Sequence, residues 1–235
     1  MSGEVEGPSD PIPGHSVKTS SLPGVRARLA SSDEVIAIRA PWTISDYERL
    51  LSELTRTAPI VGSNAYSSGE LGIWLRHDVE LDAEAALAVA HSEQHVGVSS
   101  TFYVCADSPF LCFDDVRMLV PRLRDMGHEV GLHRMWNVES DEARWHVLGF
   151  TPDETRNGSF HAPGVPAAEL ATHAAGARVY ENLSKGIGSY ASDSTGSWRW
   201  GTPEQALAKG LPLQVLTHPF WWSGGNKDLR SMGTM

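Results

Sequence analysis

Residues 71–80 read Leu-Gly-Ile-Trp-Leu-Arg-His-Asp-Val-Glu, an apolar run that passes directly into four ionisable side chains. The apolar part is typical of a short strand buried in a parallel sheet. The ionisable residues, Arg76, His77, Asp78 and Glu80, follow where the strand leaves the sheet. Because functional groups collect at that edge of parallel α/β sheets, the stretch predicts a site there. For this stretch alone, a loop of solvated charges is the alternative.

Strand and helix patterns alternate downstream of this stretch. A helical pattern rich in small residues runs from Asp82 to about His95, and a β-branched, strand-like segment follows at 98–104. A further helix is predicted from Phe113 to Met126, and Pro121 should kink or split it. Three later strands are expected to end at histidines, namely His133, His161 and His218. This alternation predicts an α/β fold, either a barrel or an open sheet.

The length and composition favour one packed domain. The chain has 235 residues, of which 41% are hydrophobic, enough for a single large core. Residues 1–34 are rich in Pro, Gly and Ser without apolar periodicity, and they are predicted to form a flexible arm. Residues 35–235 are predicted to form the domain.

Charge and cysteine content limit the expected partners and compartment. The net charge is -10 without a block of basic residues, so nucleic acid is not an expected partner. No apolar run approaches the roughly 20 residues that span a bilayer, and the acidic start lacks a secretory pattern. Cys105 and Cys112 match neither a zinc knuckle nor a C-x-x-C motif, so we expect reduced thiols and a cytoplasmic protein. A homo-oligomer is compatible with the sequence, which does not require one.

The ionisable strand ends predict a metal site. A barrel gathers its strand ends at one rim, so distant residues can converge on one pocket. Carboxylate and imidazole groups together suit zinc or another first-row divalent ion with a position open for water. Such a site favours hydrolysis of an amide or ester, with side chains that take and give a proton. Structural, hydrogen-bonded histidines are the alternative.

Four motifs in order carry a resemblance to a known family. They are 75–80, Ser-Thr-Phe-Tyr-Val at 100–104, Gly-His-Glu-Val-Gly-Leu-His at 127–133 and Leu-Thr-His-Pro at 216–219. The chain resembles the polysaccharide deacetylase, or NodB-homology, family of carbohydrate esterases, in particular a cytoplasmic branch with an Arg-His-Asp-Val-Asp signature. The resemblance implies a distorted (β/α) barrel of about seven strands and metal-dependent removal of an acetyl group from a sugar.

The resemblance also implies roles for individual residues. Asp78 and His133 match metal ligands, and His218 matches the general acid that protonates the departing amine. Asp193 resembles the acid that holds this histidine in place. His161 stands where many members carry an arginine.

Three positions depart from the family pattern. Asn137 replaces the usual second histidine ligand, four residues after His133. His77 occupies the position of the catalytic base, and Glu80 replaces the last aspartate of the signature. The third metal ligand is therefore expected to be His161, with Glu80 as the next candidate. Either His77 or Glu80 is expected to act as the base.

The remaining candidates are substrate contacts. They are Arg76, Asn137, Trp198 and Trp222. A surface ion pair is the alternative for Arg76, and core packing is the alternative for each tryptophan.

The sequence thus predicts a zinc-dependent deacetylase acting on a small molecule or oligosaccharide that bears an acetamido group. Two alternatives remain, a carbohydrate-binding relative that has lost its metal and a hydrolase of another amide C–N bond.

Overall fold

The computed structural model describes residues 35–135, 141–161, 165–173, 177–198 and 200–230. The predicted flexible arm, 1–34, and Asn137 lie outside the described residues.

The described residues form eight strands in two sheets, numbered in chain order. They are β1 (Val35–Ala40), β2 (Ile73–Val79), β3 (Thr101–Cys105), β4 (Glu129–Met135), β5 (Gly158–His161), β6 (Ser189–Ser192), β7 (Leu213–Thr217) and β8 (Gly225–Arg230). Six of them form a parallel sheet in the order β5-β4-β3-β2-β7-β6, which curls into a half-barrel, while β1 and β8 pair antiparallel. The predicted α/β class is confirmed. The curled sheet has six described strands rather than about seven, and it is compatible with a distorted barrel.

Nine described helices flank the sheet. They are α1 (Ile44–Thr57), α2 (Ser63–Ser67), α3 (Ala83–His95), α4 (Phe113–Asp125), α5 (Glu142–Val147), α6 (Pro152–Arg156), α7 (Ala167–Leu170), α8 (Ala177–Ser184) and α9 (Pro203–Leu207). Side-chain oxygens of Thr43 and Asp82 cap α1 and α3 by accepting a backbone N–H of the first turn. Of the two effects expected of Pro121, a kink or a split, the split does not occur, since α4 runs on either side of it and buries Val120 and Leu123 against the core.

Strand β2 separates two layers of core because its side chains alternate between the faces of the sheet. Leu75 and Val79 belong to the larger cluster, which includes residues of α1, α3 and α4. Trp74 belongs to a second cluster with Tyr66 and Tyr103 on the concave side of the curled sheet. The two sides of β2 therefore pack against different helices, since the second cluster also includes residues of α2, α7 and α8.

Strand β5 is an edge of the curled sheet, where it pairs with β4 alone among the described strands. The Tyr180 hydroxyl, from α8, accepts a hydrogen bond from the Phe160 N–H (2.9 Å) and donates one to the Phe160 carbonyl (3.2 Å). Gly131 on β4 has no room for a side chain, because a Cβ there would lie 2.4 Å from the Asn157 carbonyl oxygen. Both features fix β5 closely against its neighbours.

Candidate metal centre

Three side chains meet where strands β2, β4 and β5 end at the concave side. A Glu80 oxygen, Oε1, lies 2.8 Å from His133 Nε2 and 2.7 Å from His161 Nδ1. One ligand atom from each of the three residues lies within 4.8 Å of the others. The parallel register explains the meeting of the histidines, since His133 lies opposite Ser159, and His161 follows Ser159 by two positions on the same face of β5. These residues, far apart in sequence, form one cluster.

The donor set of this cluster fits a divalent metal ion. One carboxylate and two imidazoles are the groups that zinc and other first-row divalent ions prefer, and three protein ligands leave a position open. His133 is almost fully buried, whereas about a third of His161 and a fifth of Glu80 remain exposed, at 35% and 21%. The cluster is therefore open to solvent on one side, so that it could hold a metal ion within reach of a substrate.

The charges of the cluster support this interpretation. Burial opposes ionisation of Glu80, but its hydrogen bonds with His133 and His161 outweigh that effect and hold the pKa of Glu80 well below its ordinary value. The hydrogen bond with Glu80 also raises the pKa of His161. Glu80 is therefore an anion at neutral pH, as a ligand must be.

The prediction that Asp78 ligates the ion beside His133 is revised by this geometry. The Asp78 carboxylate accepts hydrogen bonds from Arg76 (2.8 Å, at Oδ2) and from the Ser159 hydroxyl (3.1 Å, at Oδ1). It faces the Nδ1 side of His133, with 3.8 Å between Nδ1 and Oδ2, whereas Glu80 faces Nε2. Asp78 thus lies behind His133 rather than beside the ligand atoms of the cluster. Both His161 and Glu80, the two candidates for the third ligand, are in the cluster.

Arg76 forms a buried ion pair with Asp78. Its side chain is 3% exposed, and its guanidinium lies over the Tyr103 ring at 5.4 Å. The alternative of a surface ion pair does not match, because the pair with Asp78 is buried. The substrate contact at Arg76 stays a prediction.

His77 points to the opposite face of β2, and its predicted role as the base does not fit. It is fully buried, with Nε2 2.9 Å from Glu93 Oε1 and Nδ1 2.7 Å from the Thr217 hydroxyl. Glu93 also accepts hydrogen bonds from Tyr47 and from Ser100. His77 belongs to a closed polar network between the sheet and the helices, because the alternation of β2 turns it away from Asp78 and Glu80.

His218 and Asp193 form a pair at the ends of β7 and β6. The imidazole Nδ1–H donates to Asp193 Oδ1 (2.6 Å), and the backbone N–H of His218 lies 3.0 Å from the same oxygen. Burial opposes the charged imidazole, but the Asp193 carboxylate outweighs it and raises the pKa of His218 to about 9. The Glu80 charge contributes to the same rise, and the parallel pairing of β7 with β2 brings His218 and Glu80 to the same edge of the sheet. His218 is therefore protonated at neutral pH and can donate a proton.

The tryptophans predicted to wall a sugar site have different surroundings. Trp222 is buried, donates its indole N–H to Asp193 Oδ2 (2.8 Å) and stacks on Trp42 with ring centroids 4.7 Å apart. Its predicted substrate contact is replaced by a role in fixing Asp193. Trp198 is half-buried, with its ring 5.9 Å from that of Trp42, and its substrate contact stays a prediction.

Sequence reasoning missed Ser159 and Glu93. Ser159 precedes His161 by two positions, so strand alternation alone would have placed it on the same face as that histidine. Glu93 carried a weaker signal, as an acid between alanine-rich turns of a helix that must pack against the sheet.

Comparison with known proteins does not assign the chain to a family. No protein-family model matches it, and no curated protein matches it. Among the described residues, no helix is long and apolar enough to cross a membrane.

Proposed function

We propose that the protein is a metal-dependent hydrolase that removes an acetyl group from an N-acetylated sugar or a sugar-containing biosynthetic intermediate. One observation carries the proposal, the meeting of the Glu80, His133 and His161 donors at the edge of the parallel sheet where β7 ends before His218. Such rims are where α/β enzymes place their catalytic groups. The resemblance of the ordered motifs to polysaccharide deacetylases supplies the substrate class.

Glu80, His133 and His161 would hold the cation, and the proposed cation is zinc. A divalent ion bound there supplies Lewis-acid polarisation of a carbonyl and a nucleophilic water near neutral pH. Glu80 contacts both imidazoles through Oε1, so Oε2 is the atom of this carboxylate that can accept a proton. In this proposal Glu80 is both a ligand and the base, because His77 is enclosed on the other face.

His218 would donate the proton that the departing amine needs. Asp193 keeps the imidazole charged and holds Nδ1, so Nε2 is the nitrogen that can point toward a substrate. Trp222 and the His218 backbone both bond to Asp193, so its carboxylate is fixed before a substrate arrives. This arrangement costs no reorganisation during the reaction.

We propose a cytoplasmic location and a small-molecule or oligosaccharide substrate with an acetamido group. Both cysteines are free, as in a reducing compartment. The ligand set does not itself select an acetyl group, so hydrolysis of another amide C–N bond is the second candidate.

The test is acetate release by zinc-loaded protein from a panel of acetamido sugars and nucleotide sugars. His218→Gln is the matched variant, since it keeps the three ligands and removes the proton donor. Metal-dependent acetate release that is lost in His218→Gln supports the proposal. Turnover of another amide without acetate supports the second candidate. Less than about a tenth of an equivalent of bound metal, with no gain on adding zinc, cobalt or nickel, would contradict both and favour a binding protein.

A further inference from the structure

We propose that Ser159 and Asp78 act as an outer pair that fixes the tautomer and ring orientation of His133, so that only Nε2 is offered to the cation. The inference rests on the proposed metal centre, and it assigns Ser159 a positioning role. It concerns residues that touch the ligand His133 and not the ion.

The contacts run in one line from the interior to the cluster. The Ser159 Oγ lies 2.6 Å from His133 Nδ1 and 3.1 Å from Asp78 Oδ1. Asp78 is held in turn by Arg76, at 2.8 Å. Ser159 and His133 are opposite each other in the register of β5 and β4, so the backbone itself places the hydroxyl against the ring. All four side chains are buried.

Counting protons along this line determines the tautomer. The Asp78 carboxylate can only accept, so the Ser159 hydroxyl donates its one proton to Asp78 Oδ1. The Ser159 oxygen must then accept from His133, which requires a proton on Nδ1. A ring that keeps its proton on Nδ1 offers a lone pair at Nε2 when an ion takes the place of the proton that Nε2 shares with Glu80 Oε1. The outer pair therefore prepares Nε2 for a cation.

The opposite arrangement leaves buried groups unsatisfied. If Ser159 donated to Nδ1 instead, Asp78 Oδ1 would lose the hydrogen bond from Ser159, and His133 would carry its proton on Nε2. That proton would occupy the space in which the ion must bind. Because an unpaired acceptor on a buried carboxylate is costly and a proton on Nε2 excludes the ion, the first arrangement is the one in which His133 can bind a cation. Outer partners of this kind commonly change metal affinity by about 10- to 100-fold.

The experiment compares Ser159→Ala with Ser100→Ala. Ser100 is a matched control, because it is also a buried serine bonded to a buried carboxylate, Glu93, but on the far face of the sheet. Cobalt affinity is measured on the full chain by competition with a chromophoric chelator, and urea unfolding verifies that both variants fold. Ser159→Ala is expected to bind cobalt about 10- to 100-fold more weakly, and Ser100→Ala to bind it as the wild type does.

A spectroscopic readout separates positioning from simple loss of stability. In the cobalt-loaded protein, the hyperfine-shifted ring N–H of His133 should exchange slowly with solvent in the wild type and rapidly in Ser159→Ala. The partly exposed His161 provides the internal reference. If Ser159→Ala fails to fold, a rapidly exchanging His133 N–H in the wild type would still overturn the proposal.

The outcomes distinguish this inference from the proposed function. Wild-type affinity in Ser159→Ala, or an equal loss in Ser100→Ala, overturns the outer pair and leaves the metal centre intact. Absence of cobalt binding by the wild type overturns both. Failure to release acetate, with the cobalt results as expected, overturns only the deacetylase assignment.

Discussion

Replacing Asp193 with asparagine should change the charge state of His218 more than any other single substitution at the rim. The Asp193 carboxylate accepts from His218 Nδ1, from the His218 backbone and from Trp222. The asparagine side chain would keep the size of the aspartate and one carbonyl acceptor, but it would remove the negative charge. The perturbation is thus largely electrostatic.

The expected magnitude follows from the pKa of His218. Burial alone lowers this pKa, while Asp193 contributes most to raising it from its ordinary value of 6.5 to about 9. Without the carboxylate, the pKa should fall to 6.5 or below. At about pH 7.5 the protonated fraction would then fall from about 97% to about 9%, roughly tenfold. The fall in the pKa of His218 from about 9 to 6.5 corresponds to about 3 kcal/mol, at about 1.36 kcal/mol per pKa unit.

The sign of the effect on stability is fixed by the same values. Because the pKa of His218 is higher in the folded state, its protonated form contributes its full stabilisation below about pH 6.5. This contribution is lost as the pH rises through about 9. The difference in unfolding free energy between wild type and Asp193→Asn should therefore be largest at acidic pH and narrow toward about pH 9.

The assay is a proton NMR titration of the histidine ring signals, which needs no substrate. The chain has 10 histidines, so the His218 signal is assigned by its absence in His218→Gln. The wild-type midpoint is expected near 9 and that of Asp193→Asn at 6.5 or below. A wild-type midpoint at or below 6.5, or an unchanged midpoint in the variant, would refute the electrostatic argument.

Three further predictions address the cluster and the network behind it. In chelator competition, Glu80→Gln should weaken zinc binding by more than about 100-fold, and Asp78→Asn by only about 10- to 100-fold. A loss of zinc affinity in Asp78→Asn as large as that in Glu80→Gln would show that Asp78 is a ligand. Glu93→Ala should lower the free energy of unfolding by about 3–5 kcal/mol, because it leaves buried His77 without its carboxylate. A loss below about 1 kcal/mol in urea unfolding would contradict this. Removal of metal with EDTA should stop acetate release and zinc should restore it, so activity that survives dialysis would exclude the metal mechanism.

Sequence periodicity was enough to place five of the six described parallel strands and the candidate site at their ends, while β6 was not predicted. Each histidine that was predicted at a strand end lies on a described parallel strand or directly after one. These residues are His133, His161 and His218. The direction of the His77 side chain was also predictable, because the side chains of residues 77 and 78 in one strand must point to opposite faces of the sheet. The family resemblance favoured a catalytic His77 against this simple geometric rule.

The finding that Glu80, and not Asp78, lies in the cluster was not predictable in the same way. Both residues share one face of the chain, so alternation does not separate them. The two carboxylates differ in how deeply they are buried. This difference is set by Arg76, which is enclosed in the half-barrel and must be neutralised by a nearby carboxylate. Asp78 is the carboxylate within reach, and Glu80 is left at the mouth. Which charges become buried together is a property of the tertiary fold.

The elements that were missed depend on contacts distant in sequence. The antiparallel pair of β1 and β8 joins the two ends of the described chain, such as Val35 with Arg230, and nothing local in either segment predicts its partner. The short helix α2 falls among Gly and Ser residues that are typical of a loop. Packing of Tyr66 against Trp74 stabilises this helix.

The edge position of β5 has a consequence for the choice of ion. Among the described strands, those that position Glu80 and His133 have partners on both sides, whereas β5 with His161 has one, and the Tyr180 hydroxyl bonds Phe160 on this strand. A substitution in α8 can therefore shift one donor by a fraction of an ångström while the other two stay in place. Because ions of different radius need different donor spacings, the preference among them can be tuned from outside the pocket.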